Sequence, residues 1–411
     1  MAEAHPHEPA DVDRARVAVA GAFATNGLAL ATVISRTPAI RDGLGLSPAQ
    51  LGLLLLCLSF GAVAILPVSG PVVHRLGPGR SVLTAALSVT AGLVTLSASL
   101  FTGVVGGAAV GLVLSGLGIG LWDVAMNVEG ADVERRLGRA FMPRLHAAFS
   151  VGNVLGAGVS VTGAATGTPL AVQMLAVAVL LPVVAFGCTR GFLPVPAGSG
   201  TRRRKGSGVL RAWREPRTLA IGVLVFAFAF TEGTATDWIA VALVDGHGAN
   251  ETIGATAFGL FVGAMTLSRL MGVRLLDRFG RVVALRATTV LALTGVAIVL
   301  FGGSAPLALV GAVLWGAGVA LGFPVGMSAA ADDPERAAAR VSVASSVGYT
   351  AFLAGPPLIG LLAEHAGILR ALLVVTVALV LGLLASSASR PLAESRPEMA
   401  LATGEPGSRT G

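Results

Sequence analysis

Twelve apolar runs, each long enough to cross a lipid bilayer, account for most of this chain. A hydrocarbon core about 30 Å thick requires about 20 apolar residues in helical conformation. Because lipid offers no partner for a free backbone N–H or C=O group, each run is predicted to be a helix, and the chain an all-α membrane protein. The predicted spans, numbered 1 to 12 in chain order, are 17–40, 48–73, 80–101, 104–128, 143–164, 169–190, 217–242, 252–274, 282–303, 305–328, 340–362 and 367–389.

The scarcity of charge favours lipid over water as the solvent around these helices. Charged residues make up 12% of the chain and its mean hydropathy is +0.81, whereas soluble domains contain about 25% charged residues. Arg14 and Arg16 before the first run are typical of a signal peptide, but that run is too long for one. Cys57 and Cys188 lie in apolar runs without metal or redox spacing and are interpreted as small core residues.

The basic residues fall almost entirely on one predicted side of the membrane. Of the 29 Lys and Arg residues, all but Arg36, Arg41 and Arg370 lie on the side that carries both termini. The positive-inside rule therefore predicts a multi-pass protein of the cell membrane with cytoplasmic N- and C-termini. The basic run at 202–205 is expected to contact anionic lipid head groups. Basic clusters confined to such loops argue against a nucleic-acid partner.

The two halves of the chain repeat one another. Residues 14–191 and 217–390 are predicted to contain six helices each, with a basic linker at 192–216 and cytoplasmic tails at 1–13 and 391–411. Motifs recur in the same order about 200 positions apart, a separation typical of internal duplication. The matching segments are Gly116-Leu-Gly118 with Gly316-Ala-Gly318, the loop at Asp132 with the loop at Asp333, and Ser150-Val-Gly152 with Ser346-Val-Gly348. The repeat predicts two pseudo-symmetric six-helix bundles.

Two turns on the predicted cytoplasmic side carry a further repeated motif. Its residues are Gly70, Arg75, Gly77 and Arg80 between spans 2 and 3, and Asp277, Arg278, Gly280 and Arg281 between spans 8 and 9. The pattern resembles the Gly-x-x-x-Asp-Arg-x-Gly-Arg motif of the major facilitator superfamily, with His74 in place of the first Asp, Arg80 one place late and Gly272 one place early. The resemblance implies that these residues hold helix ends and ion pairs between the bundles in an outward-facing state.

Three other segments carry a narrower resemblance, to the branch of that superfamily that contains the bacterial proteins YbjJ and MosC. They are Trp122-Asp123-Val-Ala-Met126-Asn127-Val-Glu129-Gly130, Pro143-Arg144-Leu-His146-Ala-Ala-Phe-Ser150-Val-Gly152 and Glu232-Gly233-x-x-x-Asp237-Trp238. The resemblance implies two bundles around a central cavity, transport by alternating access, and a sugar-like or polyol-like solute.

Glu232 is the ionisable residue placed deepest in an apolar helix. It follows the segment 226–231, Phe-Ala-Phe-Ala-Phe-Thr, and lies roughly 22 Å along span 7 from its cytoplasmic start. Ionisable groups inside a membrane are costly and usually functional. We expect Glu232 to bind a proton or the solute; the alternative is a protonated or hydrogen-bonded packing residue.

Two further polar groups are candidates for gates. Asp123 and Asn127 share one face of span 4, and Arg144 and His146 open span 5 at a comparable depth, so an inner gate or a static packing cluster is expected there. At the opposite side, Asp237 could pair with Arg36 in an outer gate. Trp238 beside it is interpreted as an anchor at the membrane interface.

A third group lies near the middle of the membrane and suits a hydroxylated ligand. Amide groups can bond hydroxyls, and aromatic faces can stack on a sugar ring. Its members are Asn26, Asn153, Trp315 and Tyr349. Each of them could equally serve as a hydrogen-bonding contact between helices.

The expected function is proton-coupled secondary transport of a small polar solute by a monomer. The chain has one Lys and no phosphate-binding Gly-x-x-x-x-Gly-Lys motif, which excludes ATP-driven transport, and no cofactor, metal or enzymatic activity is expected. Efflux of drugs or metabolites is an alternative. A non-transporting receptor or scaffold is an alternative of another class.

Overall fold

A computed structural model describes residues 9–138, 141–193, 209–333 and 336–391. The described residues form helices and turns without strands, as predicted. The helices are Pro9–Ile34, Thr37–Leu44, Pro48–Leu76, Pro78–Thr102, Val105–Leu137, Met142–Ala165, Leu170–Thr189, Val209–Ala212, Pro216–Val241, Ala242–Gly246 (a π-helix), Glu251–Phe301, Ala305–Val319, Gly322–Ala330, Ala337–Ala366, Ile368–Ala371, Leu373–Ala385 and Ser386–Ser389 (a 3-10 helix).

Eleven of the described helical segments are long and apolar enough to cross a membrane. One of them, Glu251–Phe301, has 51 residues and contains spans 8 and 9, which meet at Gly280 in a non-helical conformation (φ 74°, ψ 164°). Gly77 between spans 2 and 3 has nearly the same conformation (φ 78°, ψ 160°), one that a residue with a Cβ rarely adopts. Divided at Gly280, the eleven segments give the twelve predicted spans.

The turns repeat between the halves, as the sequence predicted. Glycines with positive φ occur in equivalent pairs separated by 200 or 203 positions, namely Gly45 with Gly248, Gly77 with Gly280, Gly103 with Gly303, and Gly167 with Gly367. The basic run at 202–205 and most of both tails lie outside the described residues. The boundaries of the two halves remain a prediction.

Close helix packing repeats as well. A Cβ on Gly116 would overlap the carbonyl oxygen of Leu58 in span 2, and a Cβ on Gly316 would overlap that of Phe261 in span 8. Small residues allow helix backbones to approach this closely in lipid, where little hydrophobic force drives association. The repeated glycines in spans 4 and 10 therefore serve the same packing function in each half.

The bundle has two distinguishable ends. We call the end that carries Leu193, Pro216 and the start of span 1 the linker end, and the opposite one, with the turns at Gly45 and Gly248, the distal end. Near the distal end the halves pack closely, since a Cβ on Gly52 of span 2 would lie 2.5 Å from the carbonyl oxygen of Pro356 in span 11. Spans 2 and 11 therefore form part of the interface between the halves.

Candidate functional site

A cavity of about 830 Å³ lies between the two halves. Spans 1, 4 and 5 form one wall and spans 7 to 11 form the other. The volume falls within the range of about 300–1,000 Å³ that is usual for small-molecule sites. Most of the lining is apolar, and its charged or titratable side chains are Asp123, His146, Glu232, Arg269 and Arg281.

The cavity extends toward the linker end. Its lining includes Pro143 at the start of span 5, Arg281 at the start of span 9 and Ser328 near the end of span 10. Among the described residues, hydrogen bonds and ion pairs between the halves occur only at the distal end. The structure is therefore closed at the distal end and open toward the linker end.

Glu232 faces the cavity and forms an ion pair with Arg269 of span 8. Nη2 of Arg269 lies 2.9 Å from Oε1 and 2.8 Å from Oε2 of the carboxylate. The side chains of Glu232 and Arg269 are 20% and 34% exposed. Glu232 thus occupies the predicted central position, but it is not the isolated acid that its apolar neighbours implied.

Arg269 is the site residue that sequence reasoning missed. It lies near the linker side of span 8, where the positive-inside count treats it as one more basic residue at a helix end. The available signal was its position inside the apolar helix, five residues before Arg274. Depth along one helix does not reveal which neighbouring helix a side chain contacts, so the pair required the three-dimensional structure.

Span 10 is interrupted beside this ion pair. Its helix ends at Val319 and begins again at Gly322, so the carbonyl groups at the break lose their helical partners. Nε of Arg269 donates to the carbonyl oxygen of Ala320 at 3.1 Å, and Oγ of Ser268 donates to that of Ala317 at 2.8 Å. Discontinuous helices are a recurrent feature of transporter binding sites. Arg269 therefore joins the acid of span 7 to the break in span 10.

The predicted inner cluster is only partly assembled. Asn127 Nδ2 donates to Asp123 Oδ1 at 3.2 Å, and Asp123 interacts electrostatically with His146 and, across the cavity, with Tyr349. Arg144 is exposed, and its side chain forms no hydrogen bond or ion pair among the described residues. The expected meeting of a carboxylate, an Arg and a His thus lacks its Arg in this conformation.

None of the four residues predicted to bind a hydroxylated ligand lines the cavity. Asn26 and Trp315 are fully buried and Asn153 is 6% exposed, whereas Tyr349 is 40% exposed. Asn26 Nδ2 contacts the sulfur of Met126, and the Trp315 ring packs edge-on against Phe261. Three of these residues lie in contacts between helices, namely Asn26, Asn153 and Trp315. The sequence predicted how deep in the membrane they lie, but not which face of the helix they occupy.

Arg36 closes the distal end, with a different partner from the one predicted. Its Nε and Nη2 donate to the two carboxylate oxygens of Glu251 in the other half, at 2.5 and 2.9 Å. Nη1 donates to the carbonyl oxygen of Thr168 and to Gln173 in its own half. The predicted pair with Asp237 is not formed, because Glu251, Thr168 and Gln173 bind the guanidinium of Arg36 instead.

Two further contacts join the halves at the same end. Arg41 forms an ion pair with Asp245, and the backbone N–H of Ala49 donates to Glu364 at 3.2 Å, each across the interface between the halves. The side chain of Asp237 forms no hydrogen bond or ion pair among the described residues. Trp238 is fully buried in the core, so its interpretation as an interfacial anchor is wrong.

The loop motifs at the linker end make contacts inside one half. Arg281 and Arg217 both bind Asp332, at 2.7 and 2.8 Å. The guanidinium of Arg278 lies over the ring of Phe279, at 5.3 Å from its centroid. The side chains of Arg75, Arg80 and Asp277 are exposed and form no hydrogen bond or ion pair among the described residues. Gly70 is exposed near the end of span 2, and Gly77 and Gly280 lie in the turns. No described ion pair of this motif joins the two halves.

A second intra-half cluster lies at the same end. Arg340 Nε donates to Glu215 Oε2 at 2.6 Å, and Thr218 Oγ1 donates to the same oxygen at 3.0 Å. The hydrogen bond from Arg340 lowers the pKa of the Glu215 carboxyl. Spans 7 and 11 are thereby tied together within the second half.

Known proteins resemble this chain over most of its length. A family model described as Major Facilitator Superfamily matches residues 17–349 and 223–405. An uncharacterized transporter, y4wD of Sinorhizobium fredii (strain NBRC 101917 / NGR234), is 33% identical over 349 residues, or 85% of this chain and 91% of that protein. The membrane protein MosC of Rhizobium meliloti is 28% identical over 359 residues, or 87% of this chain and 85% of that protein.

Solved structures share the fold at low sequence identity. A point mutant of the nucleoside transporter NupG aligns with a TM-score of 0.73 at 13% identity, covering 92% of this chain and 98% of that one. A D-xylose-proton symporter aligns with a TM-score of 0.69, also at 13% identity, covering 92% of this chain and 97% of that one.

Proposed function

The chain belongs to the major facilitator superfamily, as its sequence motifs predicted, and on that premise we propose that it is a proton-coupled transporter of a small, polar, hydroxylated solute. The observation that carries the proposal is the ion pair of Glu232 and Arg269 in a cavity that is closed at one end only. A cavity of this form suits alternating access, in which two halves rock about a central site.

Proton coupling is assigned to Glu232. A carboxylate that shares a cavity with an arginine can exist as an ion pair or, once protonated, as a neutral acid that releases the arginine. The two forms hold spans 7 and 8 differently, because only the charged form binds Arg269 through both oxygens. A ligand shifts a conformational equilibrium only by binding its two states differently, and a proton on Glu232 meets that condition.

The nature of the solute is proposed from the cavity and from the relatives. Its lining combines apolar surface with a few polar groups, which suits a small organic molecule rather than an inorganic ion. Solved structures with this fold are described as a nucleoside transporter and a D-xylose-proton symporter. Both descriptions name hydroxylated solutes, and we expect one here.

We also propose that the linker end is cytoplasmic and that the protein acts as a monomer in the cell membrane. The support for the orientation is the distribution of basic residues, of which only Arg36, Arg41 and Arg370 lie at the distal end. In that orientation the cavity faces the cytoplasm. Cysteine labelling of exposed sites at the linker end from the outside of intact cells would contradict this orientation.

The test is uptake into proteoliposomes under an imposed pH gradient, with D-xylose, nucleosides, sugars, polyols and sugar acids as labelled solutes. Wild-type protein is expected to accumulate at least one of them, and Glu232→Gln is expected to reduce accumulation to the level of protein-free liposomes. Glu215→Gln, which removes a carboxylate outside the cavity, serves as the matched control. Equal gradient-driven uptake by wild type and Glu232→Gln would end the proposed role of Glu232.

A further inference from the structure

We propose that the solute carries a carboxylate, that Arg269 binds this group in exchange for Glu232, and that one proton accompanies each solute so that transport is electroneutral. This inference rests on the proposed function and specifies its solute class. It arises from the unequal chemistry of the two partners in the cavity ion pair.

One side of the Arg269 guanidinium is hydrogen-bonded to protein groups, and the other side is accessible from the cavity. Nε is held by the carbonyl oxygen of Ala320, and Nη2 by both oxygens of Glu232. Nη1 has no hydrogen-bond partner among the described residues, and it is not buried. An acceptor that enters the cavity therefore finds one free nitrogen beside another that Glu232 alone occupies.

The two members of the pair respond differently when they separate. A guanidinium remains charged at every physiological pH, whereas a carboxylate can be neutralised by one proton. Separation therefore leaves Arg269 as a cation that needs a new counter-charge, while Glu232 needs only a proton. A carboxylate is the group whose planar geometry matches a guanidinium through two parallel hydrogen bonds.

The exchange conserves charge. A proton binds to one oxygen of Glu232, its hydrogen bonds to Arg269 Nη2 are released, and the solute carboxylate accepts hydrogen bonds from Nη1 and Nη2. The solute contributes one negative charge and the proton one positive charge, so the loaded cavity has the same net charge as the empty one. Both are released together when the ion pair forms again at the other side.

The other charged groups that face the cavity do not offer an equivalent site. Both terminal nitrogens of Arg281 are already occupied, Nη1 by Asp332 and Nη2 by Ser328. On the opposite wall, Asp123 is hydrogen-bonded by Asn127 and lies near His146. A neutral solute would leave the pair of Glu232 and Arg269 intact and would require no proton. An amine would bind Glu232 and place a second cation beside Arg269. The arrangement therefore favours an acid.

The experiment compares three compounds that share each carbon skeleton. Thermal stabilisation of the purified protein is measured with glucose, glucuronate and glucosamine, with sorbitol, gluconate and glucamine, and with glycerol, glycerate and serinol. The variants are Glu232→Gln and Arg269→Gln. Arg286→Gln is the control, because Arg286 bonds Ser386 and does not line the cavity. Uptake of any binding compound is then measured with and without a potassium diffusion potential.

The expected result is stabilisation by at least one acid over its neutral and amine counterparts. Its Kd should fall about tenfold for each unit by which the pH is lowered, because one proton is taken up on binding. Glu232→Gln should bind the acid without this pH dependence, Arg269→Gln should lose binding, Arg286→Gln should resemble wild type, and uptake should be insensitive to the potential.

Three results would overturn the inference. They are preferential binding of a neutral or amine compound, equal binding of the acids by wild type and Arg269→Gln, and the absence of binding by any acid. If a neutral sugar accumulates under the pH gradient through wild type and not through Glu232→Gln, the inference fails and the proposed function stands. If Glu232→Gln and wild type accumulate the same solute equally, the proposed function itself fails.

Discussion

The two ends of the interface between the halves are held together by different means. At the distal end, Arg36 binds Glu251 across the interface and Gly52 packs directly on Pro356. At the linker end, Asp332 binds two arginines of its own half, and the described residues make no hydrogen bond or ion pair between the halves. The cavity lies between these ends and extends toward the second one.

Transport must break some of these contacts and can leave the others intact. Contacts between the halves at the distal end have to break when that end opens, so they determine the relative stability of the two states. Contacts within one half can persist in both states and stabilise the fold without biasing the equilibrium. Each of the following changes tests this separation of function.

The largest effect is expected from a covalent link across the distal end. Ala157→Cys with Gly259→Cys, in a chain whose Cys57 and Cys188 are replaced by Ser, places two thiols close together across the interface, since a Cβ at position 259 would lie 3.3 Å from Cβ of Ala157. Oxidation should reduce uptake to background, because the distal end cannot open.

Reduction of the disulfide should restore uptake, and each single cysteine variant should remain active under oxidant. Full uptake by a protein that gel mobility shows to be cross-linked would mean that the distal end does not open during transport. In that event the difference between the two ends would have no mechanistic meaning.

Removal of the Arg36 pair should shift the equilibrium toward a state that is open at the distal end. Hydrogen bonds to charged groups contribute about 1.5–3 kcal/mol, and the 32% exposure of Glu251 reduces this to about 1–2 kcal/mol. Arg36→Gln should therefore change the ratio of the two states by roughly 5- to 30-fold. Cysteine accessibility in the distal half of the cavity measures this ratio.

Arg370→Gln is the matched control for this variant. Arg370 lies at the same end, is exposed, and has no ion pair among the described residues. Its loss should leave accessibility unchanged. A similar shift in both variants would show that overall charge at the distal end, rather than the pair with Glu251, sets the equilibrium.

Loss of a contact within one half should lower stability without changing accessibility. Asp332→Asn weakens the contacts with Arg217 and Arg281 and should cost about 1–2 kcal/mol of unfolding free energy. Thermal unfolding in detergent measures the loss, and cysteine labelling at both ends should match that of wild type. A marked change in labelling would place Asp332 among the residues that bias the two states.

The smallest effect is expected from acidification acting on Glu215. Arg340 lowers the pKa of Glu215 in the folded protein. The pair therefore stabilises the fold at any pH above the ordinary Glu pKa of about 4.3, and this stabilisation disappears as the pH falls through the lowered pKa. Arg340→Gln should therefore flatten the decline of the unfolding temperature at acidic pH. An unchanged acid profile would show that the pair contributes nothing measurable.

The sequence was sufficient to predict the spans and the repeat because lipid imposes both length and composition on a helix. It was also sufficient to single out Glu232, since an acid in an apolar helix is conspicuous. It was not sufficient for Arg269, nor for the break at residues 320–321, which interrupts a continuous apolar run. Contacts between helices depend on the face that each side chain presents, and depth along a helix does not specify that face.

The same limit explains the residues that were assigned to the wrong environment. Trp238 was placed correctly near the end of span 7, but neighbouring helices cover it completely. Asn26, Asn153 and Trp315 were placed near the middle of the membrane and proved to be buried in helix contacts. Arg36 was predicted to close the distal end, and only its partner differed.

The most direct test of alternating access is a measurement of distance at both ends in the same protein. Spin labels at Phe101 and Phe301 report the distal end, and labels at Leu76 and Phe279 report the linker end; all four are exposed and equivalent between the halves. Pulsed electron resonance would then be recorded for wild type and Arg36→Gln. Alternating access predicts that the distal distance lengthens as the linker-end distance shortens. Distances that stay fixed, or that lengthen together, would contradict it.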